Sequence, residues 1–261
     1  MYLFTDTNQG IRTPTFSIKT TFNSVVLEDM LNNEDGSFRT LTIKGRGIVN
    51  QVHQSANPIG KNGQYFYSKT YDLRTIDLKV KLSGNDNLKI RRQYERLNSI
   101  LNTDEPSFLS FSDEPNIFYK AQFKESTNEE EISNSIVLTL SFICYDPFKY
   151  SDIKTSVGDL IRYNKDFETY PKLTITLSSS GNELKILHVE QQKYIKLNGI
   201  YQSNNRIIVD MSKRTITQNG RSILTDLDIL RSRFFSFKKG NNTLSINIGH
   251  ATVSEFREVS L

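Results

Sequence analysis

Apolar residues in the middle of the chain change their period twice. Ile76, Leu78, Val80 and Leu82 alternate with Thr75, Asp77, Lys79 and Lys81, which is the two-residue period of a strand with one buried and one wet face. From Leu88 to Asn102 the interval becomes helical. Ile90, Tyr94, Leu97 and Leu101 share one side, while Lys89, Arg91, Arg92, Glu95 and Arg96 fill the rest, so this stretch is predicted to be an amphipathic helix. Asn85, Asp86 and Asn87 offer capping side chains at its start, and Pro106 cannot continue its hydrogen-bond ladder. Strands resume at Phe108 to Phe111 and Ile117 to Phe123, split by a turn from Ser112 to Asn116. After an acidic connection from Glu125 to Ser135, Ile136, Leu138, Leu140, Phe142 and Cys144 alternate again.

The same pattern extends outward in both directions. Phe16, Ile18, Thr20 and Phe22 predict an opening strand, Val25 to Leu27 a short second one, and Phe38, Leu41 and Ile43 a third that stops at Gly45-Arg46-Gly47. Gln51 to Gln64 holds two glycines and a proline with little apolar periodicity, and is predicted to be a loop forming an arm or an extended hairpin tip. Asp146-Pro147 interrupts pairing at the head of a polar seam out to Gly158, so the domains are expected to be 1–147 and 148–261. In the second, Leu173, Ile175 and Leu177 alternate, and Leu184 and Ile186 begin another strand. Asn198-Gly199 and Asn219-Gly220 predict tight turns between short apolar runs, the last of them Ile223 to Leu230. Phe234 to Phe237, Leu244 to Ile248 and Val253 to Val259 predict three closing strands, with a turn at Gly240 to Asn242. The expected fold class is mainly β: an N-terminal β-sandwich or barrel-like domain with one amphipathic helix, then a C-terminal β-sandwich.

Composition narrows the function classes. At 261 residues the chain can build two cores. Its one cysteine permits no intrachain disulfide and suits folding in a reducing cytoplasm. MYLFTDTNQG lacks a basic segment followed by an apolar run, and no long apolar stretch occurs, so neither a secretory signal nor a membrane span is expected. A net charge of +4, spread along the chain, is weak support for nucleic-acid binding.

Catalytic and metal-binding patterns are absent from the sequence. His53, His188 and His250 stand apart without ligand spacing, and Glu129, Glu130 and Glu131 form a solvated run. Gly45-Arg46-Gly47 lacks the Gly-Lys-Ser or Gly-Lys-Thr of a phosphate loop. No enzyme activity, cofactor or metal is expected, and Cys144 reads as a small buried strand residue. A carbohydrate-binding sandwich involved in host-surface adhesion is the alternative. Tyr163, Tyr170, Tyr194 and Tyr201 are its candidate platforms in a chain without tryptophan.

Three passages together carry a resemblance. They are YSKTYDLRTIDLKVKLSG with RRQYERLNSILNTDEPSFLSFSDEPNIFYKAQF, then LTLSFICYDPFKYS from Leu138 to Ser151, then KKGNNTLSINIG with the terminal FREVSL. In order and spacing they resemble the distal tail proteins of long non-contractile-tailed bacteriophages, the siphophage tail component family. The resemblance implies an N-terminal ring-forming domain, a galectin-like C-terminal sandwich and a hexameric ring in the virion, at the distal end of the tail. That ring would join the tail tube protein to a tail-associated lysin or tail fibre protein, with a receptor-binding protein as a further partner, around a channel for DNA. Neither specific nucleic-acid binding nor a membrane partner is expected. Gln51, His53, Asn57 and Lys61 on the arm, with Arg91, Arg92, Glu95 and Arg96 on the helix, are the expected oligomer or partner contacts.

Overall fold

The computed structural model describes residues 18–60, 62–127 and 133–261. Phe16, Lys61 and Glu129 to Glu131 lie outside the described residues. The chain forms two compact units, one ending at Pro147 and the next starting at Phe148.

The first unit contains β1 (Thr20–Phe22), β2 (Val25–Val26), α1 (Leu27–Leu31), β3 (Gly36–Lys44), β4 (Gln51–Ala56), β5 (Tyr65–Tyr71), β6 (Arg74–Gly84), α2 (Asn87–Leu101), β7 (Ser107–Phe111), β8 (Ile117–Thr127) and β9 (Ser135–Cys144). One antiparallel sheet runs in the order β3-β6-β9-β8-β7-β1-β2. Ile76, Leu78, Val80 and Leu82 of β6, with Ile136, Leu138, Leu140, Phe142 and Cys144 of β9, point into a core shared with Ile90, Leu97 and Leu101 of α2. Burying each such side chain contributes about 1.5–3 kcal/mol.

The predicted helix is present, its N-terminus capped by Asp86, whose side chain accepts from Lys89 N at 2.8 Å. It ends at Leu101, before Pro106. The predicted strand from Val25 to Leu27 is shorter and gives way to a second helix, α1, whose Leu27 and Leu31 enter the core. The sheet curls until β1 and β3 meet. Thr20 Oγ1 lies 2.9 Å from Thr40 Oγ1, and the buried Glu28 carboxylate accepts from Thr20 N and from the Thr40 hydroxyl, both at 2.7 Å. Thr40 donates its only hydroxyl proton to Glu28, so Thr20 is the donor in the Thr20–Thr40 pair. This network gives the unit its barrel-like closure.

The second unit is a two-sheet sandwich. Its strands are β10 (Lys149–Ser156), β11 (Leu160–Tyr163), β12 (Lys172–Leu177), β13 (Gly181–His188), β14 (Lys193–Tyr201), β15 (Arg206–Asp210), β16 (Thr215–Gln218), β17 (Arg221–Ser222), β18 (Gly240–Ile246) and β19 (Gly249–Ser260). One sheet runs β17-β16-β15-β12-β19-β10 and the other β11-β18-β13-β14, with a single core between them.

Five local expectations differ from the structure. The polar seam is the strand β10, paired to β19 yet without a buried residue. Asn198-Gly199 lies inside β14 rather than in a turn. A Cβ on Gly199 would come 2.7 Å from Asp226 Oδ2 and 2.9 Å from the Tyr201 hydroxyl, so the glycine answers to a close approach. Ile223 to Leu230 forms a short 3-10 turn (Leu224–Asp226) and an irregular segment. Phe234 to Phe237 is irregular except for a bridge from Phe237 to Thr169, and β18 begins at Gly240, where a turn was expected. Asn219-Gly220, with φ of 46° and 86°, is the predicted tight turn.

Candidate functional site

Among the described residues, no group of three or more His, Cys, Asp or Glu could hold a metal ion, and no helix is long and apolar enough to cross a membrane. Cys144 is buried, and burial pushes its thiol up to about 12, which keeps it protonated and unreactive at neutral pH. His53 sits on β4, His188 is buried beside Asn242, and His250 is on β19. A surface cavity of about 710 Å³ is lined by Lys19, Glu28, Asp29, Asn32, Ser37, Phe38, Arg39 and Ser112. Its one buried carboxylate, Glu28, is already committed to Thr20 and Thr40.

The feature that the packing leaves open is a hairpin. Among the described residues β4 and β5 pair only with each other, from Gln51 opposite Tyr71 to Ala56 opposite Tyr65. The predicted loop is therefore strand as far as Ala56, and only Asn57 to Gln64 joins the two strands. Six to seven residues at about 3.4 Å each make an arm on the order of 20 Å long. Its residues are exposed on both faces up to the half-buried Tyr71, and several of them are large and apolar. Phe66 is 61% exposed, Tyr67 67%, Tyr65 51%, Val52 47%, and Ile59 in the connection fully so. A free hairpin of two strands is marginal in water by itself. Here Ser55 donates to Gln64 Oε1 at 2.6 Å, Ser68 donates to Gln54 Oε1 at 3.1 Å, and the His53 ring meets Phe66 edge-on at 5.7 Å.

Two arginines fix the arm's root. Arg74 is 3% exposed; its Nε donates to Pro147 O at 3.0 Å and its Nη1 to Gly45 O and Gly47 O at 2.9 and 3.1 Å. Gly45, at φ +88, lies so close to Thr75 O that no Cβ fits. Arg46 grips Asp113 with two bonds of 2.7 and 2.8 Å and lies over the Phe111 ring. That contact holds the Asp113 carboxyl below the usual range and raises Arg46. Glu114, beside Arg46, accepts from the Tyr119 hydroxyl, and burial pushes that phenol up. Asp72 N, bonded to Asn50 O at 3.0 Å, closes the base of the hairpin.

The structure distributes the sequence-predicted contact residues unevenly. Gln51 and His53 lie on the arm and Asn57 follows it, all exposed, while Lys61 lies outside the described residues. Arg91, Arg92, Glu95 and Arg96 occupy the outer face of α2. Arg96 Nη2 is 2.8 Å and Arg92 Nη1 3.6 Å from the carboxylate of Asp35, whose side chain is 5% exposed. Sequence reasoning missed Val52, Ile59 and the exposed run Tyr65 to Tyr67. The available signal was three consecutive aromatics without a polar alternate, which no half-buried strand would carry.

Of the four tyrosines considered for sugar stacking, Tyr163 and Tyr201 are buried in the sandwich core and present no face. Tyr194 lies under the Lys185 ammonium at 4.5 Å. Tyr170 is half exposed, with its hydroxyl on Glu168.

Two family models match the chain in succession. The phage tail protein RIFT-related domain matches residues 27–144, and the siphovirus-type tail component, C-terminal domain, matches residues 165–259. The distal tail protein of Bacillus phage SPP1 is 23% identical over 215 residues, spanning 79% of this chain and 84% of that protein. Among solved structures, the crystal structure of SPP1 Dit, presented as a paradigm of the hub adsorption apparatus in phages infecting Gram-positive hosts, aligns with a TM-score of 0.77. It does so at 20% identity, over 94% of this chain and 99% of that one. A chain of the phage P2 baseplate in its activated conformation with Ca aligns at 0.60 and 9% identity, over 93% and 97%.

Proposed function

Because the chain belongs to the siphophage distal tail protein family, its two units matching that family's two domain models in order, we propose that it is a structural hub of the tail tip, assembled as a ring. In this reading the first unit builds the ring, six copies to a turn, and the second projects from it as a galectin-like sandwich. The ring sits at the distal end of the tail in the virion. It joins the tail tube protein to a tail-associated lysin or tail fibre protein, offers a docking surface for a receptor-binding protein, and leaves a channel through which DNA passes without specific binding.

The exposed apolar arm carries this reading. A hairpin with exposed aromatic residues on both faces loses solvent-averse area when another surface covers it, and a second copy supplies that surface at every position of a ring. A contact of this kind is heterologous: the arm of one copy lies on a different patch of the next. It closes when the rotation per copy divides a full turn. Aromatic side chains are also the usual anchors of such interfaces. Arg92 and Arg96 add charge beside the ring surface, but their hold on Asp35 makes them supports of α2 first. The role is structural and requires no chemistry from any of these groups.

The test is to replace Phe66 and Tyr67 together by Ser and compare mass in solution by light scattering. The ring reading expects an oligomer from the native chain and a folded monomer from the variant. An unchanged oligomer from the variant would remove the arm from the account.

A further inference from the structure

We infer that Asn62-Gly63, at the tip of the hairpin arm, is a site of spontaneous deamidation, and that the fold protects the chain's two other Asn-Gly pairs. The inference concerns the chemistry of the chain and does not depend on the arm's role in assembly.

The step needs only water. The backbone nitrogen of the glycine attacks Cγ of the asparagine; a C–N bond forms, the Cγ–Nδ2 bond breaks, and ammonia leaves with the proton shed by the glycine nitrogen. Water then opens the cyclic imide at either carbonyl, giving aspartate or isoaspartate with no change of oxidation state. Glycine favours the step because no Cβ obstructs the attacking nitrogen, and the asparagine must be free to rotate until that nitrogen reaches Cγ.

The sequence holds three such pairs, Asn62-Gly63, Asn198-Gly199 and Asn219-Gly220, and the structure places them in three different settings. Asn198 lies inside β14, opposite Glu183, with Gly199 pressed against Asp226 and the Tyr201 hydroxyl. Rotation there requires the strand to open. Asn219 sits in the tight turn between β16 and β17. Its Oδ1 accepts from Arg206 N at 3.1 Å, its Nδ2 is 3.4 Å from Asn205 Oδ1, and its own N–H reaches Arg206 O at 3.0 Å. Those bonds must break before the amide can rotate toward the nitrogen of Gly220. Asn62 is exposed between β4 and β5, and no described residue holds its amide. Gly63, at φ +92, has open space where a Cβ would stand.

Conversion at Asn62 adds a negative charge to the arm, and the isoaspartyl form inserts a methylene into its backbone. The full chain carrying Phe66→Ser and Tyr67→Ser, so that no second copy covers the arm, is incubated in warm, mildly alkaline buffer, once folded and once in denaturant. Peptide mapping by mass spectrometry then gives the rate at each pair, with isoaspartate scored by enzymatic carboxyl methylation. Opening of a paired segment is populated on the order of one part in ten or less, so Asn198 and Asn219 should be slowed at least about tenfold by folding, while Asn62 stays within about twofold of its denatured rate. Protection of Asn62 equal to that of the other two, or native reaction of Asn198 or Asn219 at its denatured rate, would overturn the inference.

Discussion

Arg74 stands among carbonyls rather than carboxylates. Three of its N–H bonds reach Pro147, Gly45 and Gly47, its guanidinium lies 5.5 Å from the Tyr119 ring, and its Nη2 is buried without a partner among the described residues. Removing it leaves those three carbonyls without their donors. Each buried group so stranded costs about 1–3 kcal/mol, so Arg74→Met should lower unfolding free energy by about 3 kcal/mol in urea titration. A loss below about 1 kcal/mol would mean that water replaces the guanidinium freely. The neighbouring Arg46–Asp113 pair adds a pH dependence. Asp113 is held below the ordinary carboxylate range by Arg46. Its contribution is therefore fully present above the unfolded carboxyl's pKa and is lost as pH falls through the lowered folded value. The stability gap between the native chain and Asp113→Asn should be open at neutral pH and close in acid; a gap independent of pH would contradict the assignment. None of these contacts is legible in the sequence. Arg74 is a charged residue at the head of a strand, and nothing near it in the chain announces that carbonyls 27 and 73 positions away will surround it.

Among the elements, α2 and the arm mark the two extremes of legibility. Helix α2 could be read because it has one core face and one wet face, and its buried residues include the predicted Ile90, Leu97 and Leu101. Gln93 is the exception. It is fully buried, and its Nε2 donates to Leu31 O and Asn33 Oδ1 at 3.0 Å, tying α2 to the end of α1. Truncating Leu97 to Ala should cost about 2–5 kcal/mol through lost burial and the cavity left behind, measured by chemical denaturation. The arm resisted reading because both its faces meet solvent, so burial imposes no alternation on Gln51–Ala56 or Tyr65–Tyr71. The same reason hid β10, which is held by its backbone pairing to β19. Phe234 to Phe237 misled in the opposite sense: Phe235 and Phe237 pack into the core from an irregular segment, giving the apolar spacing of a strand without its ladder. Since the arm contributes nothing to the core, replacing residues 51–71 by a short turn should leave thermal stability within a few degrees of the native chain. A drop comparable to that of Leu97→Ala would show that the arm supports its own unit.

At the scale of the whole molecule, charge is divided more sharply than the overall balance of +4 suggests. Residues up to Pro147 carry 16 Lys and Arg against 18 Asp and Glu, whereas Phe148 onward carries 17 against 11. The basic excess thus belongs to the second unit rather than to the first. A duplex-DNA gel shift with the unit ending at Pro147 should show no binding at physiological ionic strength; a steeply salt-dependent shift would contradict a passive channel. Whether the exposed arm builds a closed ring is visible by negative-stain electron microscopy of the full chain beside the chain lacking residues 51–71. If the arm closes the ring, the native chain gives closed rings with a central opening and the shortened one dispersed single particles. Single particles from both at high concentration, or rings from both, would contradict it.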